Sequence, residues 1–140
     1  MPIELLAILF FVFLVLFCVL GYNKLVAERL KILEAEANVD VYLYRRFEEV
    51  NTLYRLVKEY QTYEHEILEK IVKLRNTLFT LPTNFKERND IMFQTEKQIA
   101  EIITNLENYP ELRTNENFLQ LQQRIAENEE NISADRSAYN

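Results

Sequence analysis

Residues 39–78 read VDVYLYRRFEEVNTLYRLVKEYQTYEHEILEKIVKLRNTL, and the apolar spacing within them decides the fold. Val39, Leu43, Phe47, Val50, Tyr54, Val57 and Tyr60 follow one another by threes and fours, and past Glu64 the stripe resumes at Ile67, Ile71, Leu74 and Leu78. Such steps keep one face of an α-helix toward a core, whereas a half-buried strand alternates by twos. The spacing predicts a helical face sustained for about forty residues. Leu81-Pro82-Thr83-Asn84 closes it, since proline disfavours helix at the residue before it and Thr and Asn form turns.

Working outward, a weaker stripe of Val26, Leu30, Leu33 and Ala37 precedes this section, so the helix begins well upstream. Downstream, Met92, Thr95, Ile99, Ile102, Leu106 and Tyr109 form a further stripe that stops at Tyr109-Pro110. Thr114 or Asn115 then offers an acceptor to the free N–H groups of a last helix through Phe118, Leu121, Ile125, Ile132 and Tyr139. Short connections between long amphipathic helices make antiparallel neighbours.

The far N-terminus is different in kind. Every residue from Leu5 to Leu20 is apolar, and 14 of these 16 are Leu, Ile, Phe or Val. At roughly −0.3 to −0.6 kcal/mol each, they favour membrane insertion by about 4 to 8 kcal/mol. With Gly21 and Tyr22 the helix would measure roughly 27 Å, enough to cross a ~30 Å hydrocarbon core with little tilt. A cleaved signal peptide fits less well, because Met1–Glu4 carries no Lys or Arg and no A-x-A site follows the run. Lys24, Arg29 and Lys31 lie just beyond the span, whereas Glu4 is the sole side-chain charge before it. The positive-inside rule then puts the N-terminus outside and the C-terminal domain in the cytoplasm of a single-pass cell-membrane protein. The fold class expected is all-α, a transmembrane helix within 1–22 followed by an elongated antiparallel helical bundle over 23–140.

Composition narrows function more than it defines it. One Gly and three Pro in 140 residues disfavour hairpin-rich β folds and glycine-built phosphate cradles. One Cys and one His leave no intrachain disulfide, cysteine metal site or paired-histidine site, so no metal or cofactor is expected. A net charge of −6 gives no bulk attraction to nucleic acid, and no small-molecule substrate is indicated. His65, between Glu64 and Glu66, reads as a lone surface histidine. The pairs Glu48-Glu49 and Glu129-Glu130 read as solvated helix faces rather than catalytic acids, because neighbours on a helix point about 100° apart. The tyrosines Tyr42, Tyr44, Tyr54, Tyr60 and Tyr63 read mostly as core and border packing, with exposed members such as Tyr42 able to anchor a partner as the alternative.

Two groups stand out as candidate sites. Glu129 and Arg136 interrupt the last stripe, and if buried they call for partners among Asp40, Arg45 and Arg46 on the first long helix, because an unpaired buried charge costs several kcal/mol. A solvated border is the alternative. The turn at Tyr109, Pro110, Asn115, Asn117 and Phe118 is the second candidate, since a turn and a helix cap explain only some of its positions.

The sequence resembles the LemA family of bacterial membrane proteins. The resemblance is carried by Tyr22-Asn23-Lys24-Leu25-Val26 after the span, by Asp40-Val41-Tyr42-Leu43-Tyr44-Arg45-Arg46-Phe47, by Val57-Lys58-Glu59-Tyr60, and above all by Asn108-Tyr109-Pro110-Glu111-Leu112-Arg113-Thr114-Asn115-Glu116-Asn117-Phe118 with Leu119-Gln120-Leu121-Gln122. Asn51 stands where the family tends to have proline, and Tyr63-Glu64 where it has a His-Glu pair. The resemblance implies a short outside N-terminus and a cytoplasmic helical domain at the cell envelope, with no catalytic residues to carry over. A membrane-anchored, non-enzymatic scaffold or interaction module with a protein partner or self-association is the leading expectation. An accessory subunit of a membrane enzyme or transport complex, contacted through Arg45-Arg46 or the Tyr109 turn, is the alternative.

Overall fold

A computed structural model describes residues 2–60 and 65–139. Five helices follow in chain order: α1 Pro2–Glu59, α2 His65–Phe79, α3 Phe85–Leu106, α4 Pro110–Arg113 and α5 Glu116–Tyr139. The protein is all-α, with no strand among the described residues. It divides into two compact units, Met1–Ala37 and Asn38–Asn140.

The first unit is the N-terminal part of α1. Each large apolar side chain from Ile3 to Leu20 is exposed, between 44% and 79%. A chain in water hides such groups, because each one buried is stabilising by about 1.5–3 kcal/mol. The helix is long and apolar enough to cross a membrane.

The second unit is a four-helix bundle. Phe47 and Phe79 pack ring to ring at 6.2 Å and Arg75 lies over the Tyr54 ring at 5.3 Å, so the C-terminal half of α1 and α2 run antiparallel. Lys70 meets Glu101 at 3.5 Å, joining α2 to α3. Between α3 and α5, Gln122 donates to Glu107 at 2.7 Å and the Arg136 guanidinium sits 3.7 Å from the centre of the Phe93 ring. Between α5 and α1, Asn115 meets Tyr60 and Asp135 meets Tyr42. In the α1–α2, α3–α5 and α5–α1 pairs one residue number rises as the other falls, and with α1 and α3 parallel this defines up-down-up-down topology. Across the diagonal, Asp40 with Arg88 and Arg46 with Glu96 show α1 and α3 parallel.

The stripes become the core. Leu43, Val50, Leu53 and Val57 of α1, Ile71 and Leu74 of α2, Ile99 and Ile102 of α3, and Phe118, Leu121 and Ile125 of α5 are all buried. Leu112 of the one-turn helix α4 is fully buried beside them.

The expected forty-residue helical face over 39–78 is carried by two helices. α1 ends at Glu59 and α2 begins at His65, whereas the helix passes Asn51 without a break. Between Tyr60 and Ile67 the stripe has no aliphatic residue, and folding back lets its halves bury one another, which a single rod cannot do. Tyr63 and the stripe position Glu64 lie outside the described residues, as do the side chain of Tyr139 and all of Asn140. The reversal at 80–84 follows the sequence reading. Asn84 caps α3 by accepting from the Lys86 N–H at 2.9 Å, and Arg88 donates to the Thr83 carbonyl at 2.6 Å.

Candidate functional site

Arg46 is completely buried, a charged residue on a face otherwise made of Leu43, Val50 and Leu53. Its position follows from helix phase: three residues past Leu43 and four before Val50, it points inward with them. Three carboxylates surround it. Glu129 of α5 approaches to 3.6 Å, Glu49 one turn along α1 to 3.9 Å and Glu96 of α3 to 4.0 Å. These are ion-pair distances longer than hydrogen bonds, and among the described residues no guanidinium nitrogen of Arg46 makes a hydrogen bond. Thr95 and Asn128, both buried, complete a polar layer in the bundle.

Glu49 is also buried, at 5% exposure, which corrects its reading as part of a solvated acidic face. Adjacent helix residues point apart, so Glu48 takes the solvent and Glu49 turns inward. Burial pushes the Glu49 carboxyl up from 4.5 to about 7, against the downward pull of Arg46, Arg124 and the Asn128 amide, while the Glu129 charge adds to the rise. Glu49 and Asn128 line the floor of an open groove of about 400 Å³ between α1 and α5, whose walls include Tyr44, Arg45, Glu48, Arg124 and Glu127. A second hollow along the same helices shares Arg124 and is walled by Thr52, Arg55, Glu59 and Asn117.

The five charges singled out from sequence have separate fates. Arg46 and Glu129 are brought together. Asp40 pairs with Arg88 of α3 at 2.9 Å instead of reaching α5. Arg45 is exposed at the groove and lies over the Tyr42 ring at 5.8 Å. Arg136, on the exposed side of α5, stacks on Phe93. The inward position on α5 between Ile125 and Ile132 belongs to Asn128, with Glu129 half-buried beside it.

Tyr42 is buried, so it takes the core-packing reading and not the alternative of a partner anchor. Its hydroxyl donates to Asp135 Oδ2 at 2.5 Å, and the Asn38 amide donates to the same oxygen at 3.2 Å. Tyr44, two residues further along α1, points outward instead and is 66% exposed. Sequence reasoning passed over Arg88, Asp135 and Asn128 and placed Glu49 on a solvated face. A signal existed for Asn128, which keeps the three-four step from Ile125 to Ile132, but polarity hid it.

The Tyr109 turn is largely engaged within the fold. Tyr109 precedes Pro110 at the start of α4 and packs half-buried on the core. Asn115 Oδ1 accepts from the Phe118 N–H at 3.2 Å, capping α5, while its Nδ2 donates to the Tyr60 hydroxyl at 2.6 Å. Phe118 is fully buried, leaving Pro110 and Asn117 at the surface. His65 is exposed. Among the described residues, no three His, Cys, Asp or Glu side chains are grouped to hold a metal ion.

An up-down-up-down bundle built around a buried arginine and its carboxylates, preceded by an apolar helical segment, defines a class of small all-α proteins. Within that class, a family model for the LemA family matches residues 35–140, and the chain belongs to the LemA family. No curated protein matches the chain, and neither does any solved structure.

Proposed function

We propose that this protein is a membrane-anchored, non-enzymatic helical module of the cell envelope, with its span near the N-terminus and its bundle in the cytoplasm. The observation that carries the reading is the exposed apolar surface from Leu5 to Leu20, which has no partner among the described residues and suits a hydrocarbon environment. Lys24, Arg29 and Lys31 beyond the span support the orientation. The bundle supports a binding role over a chemical one in that Arg46 is sealed among carboxylates instead of facing a cleft. The accessory-subunit reading draws on the groove with Arg45 and Arg124 on its walls, a surface able to receive a partner's polar side chains.

Alkaline carbonate washing of vesicles tests the anchor, with the intact chain expected to stay in the membrane fraction. A tag after Asn140 is expected to be protected from protease in whole cells and cleaved after lysis. Release by carbonate, or cleavage in whole cells, would overturn the anchoring or the orientation respectively.

A further inference from the structure

Between the apolar run and the bundle, α1 carries a second exposed apolar face. Val26, Leu30 and Leu33 are 38%, 60% and 51% exposed, and Ala37 is exposed with them. Their steps of four, three and four are the heptad spacing of a coiled-coil seam, with Val26 and Leu33 at d and Leu30 and Ala37 at a. By helix rise, Leu30 lies roughly 12 Å and Leu33 roughly 17 Å beyond Tyr22 along the axis, outside the hydrocarbon that covers the preceding residues. Hydrocarbon therefore does not cover Leu30, Leu33 or Ala37.

We propose that a second copy of this chain covers it, in a parallel two-stranded pairing over residues 26–37. The flanking charges suit a second copy of the same chain in this direction. Arg29 falls at g and Glu34 five residues later at e, the two positions that meet between parallel strands, so a symmetric pair forms the Arg29–Glu34 contact twice. An antiparallel pair is ruled out by the spans, which hold both copies in one membrane in the same orientation. The Glu28–Lys31 ion pair, at 3.4 Å within one helix, occupies the outer face and leaves the seam free. Two heptads are too short to hold dissolved helices together. Confinement of both copies to one membrane in the same orientation raises their effective concentration and removes much of the cost of aligning them. The pairing rests on the anchored reading above for that confinement.

Site-directed cross-linking of the full-length chain in its native membranes tests the pairing, in a Cys18→Ser background that removes the native thiol. Single cysteines at Val26 or Leu33, on the seam, are expected to give disulfide-linked dimer at least about tenfold above cysteines at Glu28 or Ala35 on the opposite face, because a disulfide needs closely approaching Cβ atoms. With the cysteine placed at Ala37, Arg29→Glu is expected to reduce cross-linking, and adding Glu34→Arg to restore it. Cross-linking that is independent of helix face, that is absent from both seam positions, or that is not restored by the double reversal overturns the proposal. Carbonate washing of the same membranes separates the two readings. Retained chain with face-independent cross-linking overturns the pairing alone, whereas released chain overturns the anchoring and the parallel confinement together.

Discussion

Arg46 occupies a position that a leucine would fill without electrostatic cost, so the stability of the bundle depends on the carboxylates that approach it. Removing one member of a buried ionic group leaves the others desolvated and unpaired, which costs about 3–5 kcal/mol. Arg46→Met should therefore lower the unfolding free energy by about 3 kcal/mol at pH 8, as read by urea denaturation of the detergent-solubilised chain, and by less at pH 5, where Glu49 can hold a proton. The sign for Glu49 follows from its raised value. Between 4.5 and about 7 the folded state binds the proton that the unfolded state has released. This contribution to stability is therefore complete below pH 4.5, fades as pH rises and is gone above about 7. Glu49→Gln keeps the shape without the charge, and should gain on the natural sequence by up to about 3 kcal/mol between pH 4 and 8. A difference curve flat across that range would show that Glu49 is solvated. The Arg46–Glu129 contact was legible because Glu129 breaks an apolar stripe, but Glu49 and Asn128 were not. Which of two adjacent acids turns inward is fixed by helix phase against three neighbouring helices, and one helix's sequence does not contain the other three.

At the level of elements, helix ends do more than helix interiors to set the topology. Asn115 serves two of them at once, accepting from the Phe118 N–H to start α5 and donating to Tyr60 just past the end of α1. Asn115→Ala should cost about 1–2 kcal/mol through the lost cap. Asn115→Asp keeps the acceptor and loses the amide donor, so it should recover most of that loss; equal destabilisation by both would place the weight on the Tyr60 contact instead. The same comparison shows why the helices were legible and one boundary was not. Pro82 with Asn84, and Pro110 with Asn115, end and restart helices through side chains whose turn chemistry is local. Between Glu59 and His65 no proline or glycine marks the change, and the three-four spacing passes through Glu64 as if the helix went on. What divides α1 from α2 is the burial gained when Phe47 meets Phe79 and Tyr54 meets Arg75, a tertiary effect invisible to periodicity.

For the whole molecule, the two units call for different surroundings. The apolar groups of Met1–Ala37 are exposed in series, whereas in Asn38–Asn140 the exposed large ones, Val41, Tyr44, Val72, Phe79 and Leu119, are scattered along separate helices. Scattered exposure is ordinary for a water-soluble domain, while a continuous apolar surface is not. The buried residues of the core all fall between Val39 and Ile132, so no core side chain would be lost by removing the first unit. The fragment 38–140 should consequently fold without detergent, show a helical circular dichroism spectrum and unfold in one cooperative urea transition with a slope of about 1–2 kcal/mol/M. Because it lacks the seam at Val26, Leu30, Leu33 and Ala37, it should sediment as a monomer. A fragment that precipitates, or that melts gradually without a transition, would mean that the N-terminal part of α1 is required for the fold itself. With the core beginning at Val39, a partner that engages the groove or Tyr44 would do so on a domain whose interior is already complete.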